Sequence, residues 1–238
     1  MTGARFRSDV TAGLVKESAS DADVIWAARV STQGERSLES LDADPASSRG
    51  LINYLMRSRH GSPFEHSVFT FYIEIPIFVM RELVRHRIAS FNEASGRYKE
   101  LEPVFYLPDL NRPLVQIGKA GKYTFEPGAQ WQYDLVASEI QQQSIAAYDS
   151  YKRMLLMGIA KEVARDVLPV NIFTYLYMTI NARSLMNMLS LRTDHPEARF
   201  PSKPLWEIAM LADKLEELFK YQMPLTHAAF VDNGRVAP

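Results

Sequence analysis

Two hydrophobic periods run along this chain and divide it into elements. Between Val68 and Ile75 the residues Phe69, Phe71, Ile73 and Ile75 fall on one side, with Thr70, Tyr72 and Glu74 on the other. That alternation predicts a half-buried strand closed by Pro76. Helical spacing predicts a short helix over 20–31, opened by Ser20 and Asp21. It predicts another over 50–59, with Leu51, Ile52, Leu55 and Met56 on one face and Gly61 as its stop. Ser62, Pro63 and Glu65 then read as an N-cap, a first-turn proline and a capping-box Glu. A helix over 77–87 gathers Arg81, Glu82, Arg85 and His86 within two turns.

Residues 33–48, 88–99 and 101–128 read as loops, apart from a short strand over 104–107. The proline-free stretch 130–157 carries Trp131, Leu135, Ile140, Ile145, Tyr148 and Leu155 at helical spacing, and a shorter helix over 160–168 ends at Pro169. A second strand, rich in β-branched and aromatic residues, is expected over 172–180. Asn181 caps a helix over 182–191, and a last helix runs from 205 to 222. The sum is an α+β fold: a single domain over 1–238, with a small, mainly antiparallel sheet and several long helices.

Composition narrows the function. The 27 Lys and Arg against 28 Asp and Glu give a net charge of -1, so the whole chain is not drawn to nucleic acid or anionic membrane. With no Cys among 238 residues, disulfides, Cys-ligated metals and a thiolate nucleophile are all excluded. The start, Met1 to Val10, is polar and lacks the apolar stretch of a signal peptide, and no run approaches ~18 apolar residues. A cytoplasmic location without membrane or nucleic-acid partners is expected.

Candidate chemistry concentrates in two places. Residues Arg85 to Tyr98 read RHRIASFNEASGRY, combining guanidiniums, an imidazole and small polar groups in a pattern suited to cradling an anion, with Gly96 permitting close approach. As charges alone, the same residues also fit a solvated basic helix end favoured by the helix dipole. In NARSLMNMLSLR, Asn181, Arg183 and Asn187 come together, whereas Arg192, nine residues after Arg183, lies about half a turn round the helix and serves elsewhere. Other templates fail. The GKAGK stretch lacks phosphate-loop spacing, His60 and His66 have no zinc-type partners, and neither a nucleophile elbow nor a dinucleotide fingerprint occurs.

The stretch RHRIASFNEASGRY resembles the signature of the flavin-dependent thymidylate synthases, R-H-R-x-x-S-x-N-x-x-S-x-R-Y. Arg85, His86, Arg87, Ser90, Asn92, Ser95, Arg97 and Tyr98 meet every fixed position. The similarity extends to AARVS at Ala27, SPFEH at Ser62, ARDVLPVN at Ala164 and NARSLMNMLSLR. The resemblance implies reductive methylation of dUMP to dTMP, with methylenetetrahydrofolate as carbon donor, NADPH as reductant and FAD as hydride carrier. The absence of Cys agrees, since the other type of thymidylate synthase adds a thiolate to the uracil ring.

By the same resemblance, FAD lies against Ser62, Arg85, His86, Arg87, Glu93, Asn181, Arg183 and Asn187, with His60 near the flavin and folate rings. The substrate dUMP lies against Glu82, Arg85, Glu93, Ser95, Gly96, Arg97, Arg165 and Arg192. Arg192 is the implied catalytic residue, stabilising negative charge on the pyrimidine. A homotetramer with shared active sites is also implied. Two departures stand out. Glu82 replaces the Gln of many members, so Arg81 or Arg85 is expected to neutralise it, and the segment from Thr193 to Leu205 is longer than usual. Two competing classes carry their own tests: an RNA-binding module using the same arginines, which would bind with steep salt dependence, and a flavoprotein that oxidises NADPH without methylating.

Overall fold

The computed structural model describes residues 3–41, 43–119 and 122–238. In chain order the strands are β1 Arg5–Arg7, β2 Thr11–Ser18, β3 Val68–Pro76, β4 Ser90–Glu93, β5 Val104–Tyr106, β6 Val115–Lys119, β7 Lys122–Glu126 and β8 Phe173–Asn181. The helices are α1 Asp21–Gln33, α2 Arg49–Arg57, α3 Ile77–Leu83, α4 Gln130–Leu156, α5 Lys161–Ala164, α6 Ala182–Arg192, α7 Trp206–Gln222 and α8 Pro224–Asp232. A four-stranded sheet has the order β2-β3-β8-β4, β1 pairs in parallel with β5, and β6 and β7 form an antiparallel hairpin. The α+β class with small, mainly antiparallel sheets is therefore borne out.

The described residues cluster into two compact units. One comprises the segment ending at Asp9, Glu74–Arg81 and Glu93–Tyr175; the other comprises Val10–Ile73, Glu82–Asn92 and Leu176–Pro238. In the second unit the alternation of β3 is realised, with Phe69, Phe71 and Ile73 at 0% exposure and Phe69 edge-on to Phe219 of α7. Leu185, Met186, Met188 and Leu189 of α6 are buried there as well, so burial of that face fixes which side of α6 remains polar.

The first unit is built differently. The buried positions of α4 are Tyr133, Ser144, Tyr148 and Tyr151, whereas Trp131, Leu135 and Ile145 of the expected apolar stripe are exposed. The reason is polar. Tyr148 donates to the Leu101 carbonyl at 2.8 Å, Tyr151 accepts from the Leu101 N–H at 3.2 Å, and Tyr133 donates to the Arg112 carbonyl at 3.0 Å. A tyrosine buries a large ring and still satisfies loop backbone, which an aliphatic side chain cannot do.

Local signals succeed where they are self-contained. Ser20 caps α1 in a reciprocal box with Asp23 (3.2 and 2.8 Å), and Asn181 Oδ1 accepts from the Ser184 N–H at 2.8 Å to start α6. That cap contributes about 1 kcal/mol. Other expectations are corrected. Residues 62–65 form a single 3₁₀ turn after Gly61 without a side-chain cap, and α2 ends at Arg57, with Arg59 and not Gly61 as the left-handed residue that follows it. Residues 34–41 and 45–48 are 3₁₀ segments, α3 ends at Leu83, and the expected loops 88–99 and 101–128 contain β4 and the β6–β7 hairpin. Edge strand β4 is largely exposed, so no alternation marks it. Two residues of the GKAGK stretch, 120 and 121, lie outside the described residues.

Candidate functional site

The second unit holds a cavity of about 650 Å³ lined by Glu65, Arg85, His86, Arg87, Ile88, Asn181, Arg183, Ser184, Asn187, Ala237 and Pro238. Arg85 to Arg87 come from the turn after α3, where the Arg85 and His86 N–H groups donate to Glu82 and Leu83 carbonyls. Arg183, Ser184 and Asn187 come from the polar side of α6. Arg183 Nη1 pairs with Glu65 at 2.6 Å, its Nε donates to the Pro238 oxygen at 2.6 Å, and a Cβ at Gly61 would overlap its guanidinium. Gly61 therefore serves by making room for Arg183.

Arg192 ends α6 on a different side from Arg183 and Asn187, as the half-turn spacing requires. Its Nε donates to His86 Nε2 at 3.0 Å and its Nη1 to Glu82 Oε2 at 2.6 Å. Glu82 is thus neutralised by Arg192, in place of the expected Arg81 or Arg85. Burial, reinforced by the Arg192 charge and only partly opposed by Glu82, pushes His86 down to about 4. His86 is consequently neutral near pH 7 and accepts the guanidinium hydrogen bond through Nε2. Because His86 also lines the cavity, the Arg192 cation stands directly behind that wall.

A separate group of signature residues lies in the first unit. The Ser95 hydroxyl accepts from the Arg97 N–H at 3.2 Å, Arg97 Nε pairs with Glu162 at 2.8 Å, and a Cβ at Gly96 would come within 3.1 Å of the Arg165 side chain. Ser95, Gly96, Arg97 and Arg165 are therefore neighbours. Glu93 Oε1 accepts from the Thr174 hydroxyl at 2.6 Å.

Of the residues expected at the flavin, the structure brings Arg85, His86, Arg87, Asn181, Arg183 and Asn187 to one cavity. His60 and Ser62 do not line it: both are exposed, and His60 stacks on Tyr54 at 5.9 Å. Glu65, Ser184, Ala237 and Pro238 line the cavity without having been singled out. Glu65 was legible only as a capping residue, and its actual partner, Arg183, is 118 positions away. Three guanidiniums, two amides and a hydroxyl around one cavity form a donor set suited to the diphosphate of a nucleotide.

A third cluster in the second unit borders the 193–205 segment. Buried Arg235 grips Glu216 through both Nη atoms at 2.7 and 2.5 Å and donates to Thr193 Oγ1 at 3.0 Å. His227 Nε2 lies 2.8 Å from Glu216 Oε1. Burial alone would raise Glu216, but the hydrogen bonds from His227 and Arg235 outweigh it and hold the carboxyl at about 2.

Among family models, the one described as thymidylate synthase complementing protein matches residues 13–225. A flavin-dependent thymidylate synthase of Streptomyces avermitilis is 58% identical over 98% of this chain and 95% of its own length. One of Tropheryma whipplei is 57% identical over 98% and 97%. Among solved structures, the UMP/dUMP methylase PolB from Streptomyces cacaoi bound with 5-Br dUMP superposes with a TM-score of 0.92 at 50% identity, covering 98% of this chain and 100% of that one. Its complex with 5-Br UMP gives 0.91 at 48%, covering 99% of each. With its signature complete, Arg85 and Arg87 at the cavity, and relatives above half identity along nearly its whole length, the chain belongs to the flavin-dependent thymidylate synthase family of methyltransferase enzymes.

Proposed function

We propose that residues 1–238 act as one catalytic domain that converts dUMP to dTMP, taking the carbon from methylenetetrahydrofolate and the reducing equivalents from NADPH through FAD. The observation that carries this reading is the cavity that joins Arg85, His86, Arg87, Asn181, Arg183 and Asn187 with Arg192 behind His86. Its donor set fits the FAD diphosphate, with Arg85, Arg87 and Arg183 as charge partners and Asn181, Asn187 and Ser184 as polar ones. His60, Ser62 and Glu93 complete the flavin contacts in this reading.

The substrate contacts in this reading, shared among subunits, are Glu82, Arg85, Glu93, Ser95, Gly96, Arg97, Arg165 and Arg192, with the neighbouring Arg97 and Arg165 suited to its phosphate. When bound, the flavin supplies hydride to the pyrimidine. Arg192 keeps a fixed positive charge for the negative charge that develops on the ring, because neutral His86 accepts its Nε–H and Glu82 orients its Nη1. No thiolate of this chain can add to the ring, as it contains no Cys. The exposed Trp131, Leu135, Ile145, Leu156 and Met157 of α4 and its end support self-association, which we read as the homotetramer. Among the described residues no helix is long and apolar enough to cross a membrane, and the reading places the enzyme in the cytoplasm.

The test is an anaerobic visible spectrum followed by product analysis. Purified protein should carry a flavin band that NADPH bleaches in the presence of dUMP, and addition of methylenetetrahydrofolate should yield dTMP. Bleaching without dTMP would leave an NADPH-oxidising flavoprotein, and a protein that takes up no FAD would remove the reading. UMP is assayed in parallel, because PolB is described as a UMP/dUMP methylase.

A further inference from the structure

The second unit contains a smaller cavity of about 90 Å³, lined by Met56, Arg57, Arg59, Arg199, Asn233 and Val236. Three arginines share this lining with no Asp or Glu, and none of the three has a carboxylate partner among the described residues. All three are exposed, so water screens their repulsion, and an anion bound among them would relieve what remains. The dipole of α2 accounts for Arg57 in its last turn, but not for Arg59 beyond the helix or for Arg199 on the 193–205 segment.

Among the described residues only Arg59 and the buried Arg235 (φ 56°) are non-glycine residues in left-handed conformation, and Arg59 alone stands where other helix ends carry glycine. Three helices end in the same way, with a residue in left-handed conformation followed by an N–H that bonds back five residues. At α4 this residue is Gly158 (φ 81°), with Ile159 N–H on the Met154 carbonyl; at α8 it is Gly234 (φ 76°), with Arg235 N–H on Phe230. At α2 it is Arg59 (φ 62°), with His60 N–H on Leu55. A side chain at such a position carries a steric penalty that glycine avoids. Arg199 is fixed from the opposite side, its N–H donating to the Gly234 carbonyl at 3.0 Å, where a Gly234 Cβ would meet its own Cβ at 3.0 Å.

The cavity adjoins the proposed flavin site through one short segment. Val236 lines the small cavity and Ala237 and Pro238 line the large one; Arg59 Nη1 donates to the Ala237 carbonyl, and Arg183 Nε to Pro238. We propose that Arg57, Arg59 and Arg199 form an oxyanion site that holds a terminal phosphate monoester or carboxylate of a co-substrate whose reacting part lies in the larger cavity. The identity of the co-substrates rests on the proposed function; the anion binding does not.

The test titrates inorganic phosphate calorimetrically into FAD-loaded protein saturated with dUMP, so that the other cationic groups are already engaged. Arg59→Gly and Arg199→Ala should each weaken phosphate about tenfold, the loss of one hydrogen bond to a charged group. Arg59→Gly should keep or raise the melting temperature, because glycine relaxes the backbone; a purely structural Arg59 would leave phosphate affinity unmoved. Steady-state arms then identify the source. A higher KM for NADPH with that for NADH unchanged assigns the phosphate monoester. A higher KM for a polyglutamylated carbon donor with that for the monoglutamyl form unchanged assigns the carboxylate. Absence of phosphate binding in the wild type, or wild-type affinity retained in both variants, overturns the proposal. Failure to take up FAD would strike the proposed function instead, and the phosphate titration would still be read on the flavin-free protein.

Discussion

Two clusters in this molecule use the same three residue types and arrive at opposite electrostatic states. In Arg192, Glu82 and His86 the cation stands in the middle, with the carboxylate and the imidazole on its two edges. In Arg235, Glu216 and His227 the carboxylate stands in the middle. Placing the cation beside the imidazole helps push His86 down to about 4, and placing the carboxylate between two donors holds Glu216 at about 2. Exposure separates them further: the Arg192 and Glu82 side chains are 13% and 42% exposed, but those of Arg235 and Glu216 only 3% and 17%. The first arrangement sets a partly exposed ion pair beside the cavity-lining His86, and the second encloses its charges in holding α7, α8 and Thr193 together. Residue type alone therefore does not fix the electrostatic state of such a triad; the order in which the three groups touch does.

The comparison breaks first at Arg235. Arg235→Ala strands the Glu216 carboxylate and should lower the unfolding free energy by about 3–5 kcal/mol, read from urea denaturation; a loss below about 1 kcal/mol would mean that the cluster is not structural. Next is Arg192→Ala, which should keep bound flavin, read by absorbance, yet reduce dTMP formation by about 10²–10³-fold. Normal turnover there would remove the role proposed for Arg192.

An acid sweep then separates the two carboxylate–imidazole arrangements. The folded pKa of His86, about 4, lies below its ordinary 6.5, so the unfolded chain binds more protons between those values. That contribution is complete above pH 6.5 and is lost as pH falls towards 4. Glu216, held at about 2 against an ordinary 4.5, contributes fully above pH 4.5 and loses its contribution towards pH 2. Urea midpoints measured from pH 7 to 3 should therefore fall in two windows, His86→Gln flattening the upper and Glu216→Gln the lower. The smallest effect is expected for Glu82→Gln. An amide oxygen still accepts from Arg192, and with the Glu82 end of the pair open to solvent the charge is worth about 1 kcal/mol or less, so stability should change within that margin.

What was legible in the sequence was local. The alternation of β3, the Ser20 and Asn181 caps, the shared face of Arg183 and Asn187 and the opposed direction of Arg192 all depend on neighbours within a few residues, and each appears as read. The first three residues of the signature, Arg85, His86 and Arg87, line the cavity, and a dense run of donor types needs no distant partner to be noticed; Ser95 and Arg97 lie in the other unit. Other features depended on residues far apart in the chain. Glu65 meets Arg183 over 118 positions and Arg192 meets Glu82 over 110, and these pairings overrode the capping and neighbour-charge expectations. Edge strand β4 and the exposed hairpin escaped notice because strands without a buried face carry no hydrophobic period. The sequence by itself determined the periods, the caps and the donor inventory, which follow from backbone geometry within one or two turns. Only the tertiary structure decided which charge stands between which partners and how deeply each is buried, because those contacts join residues far apart in the chain.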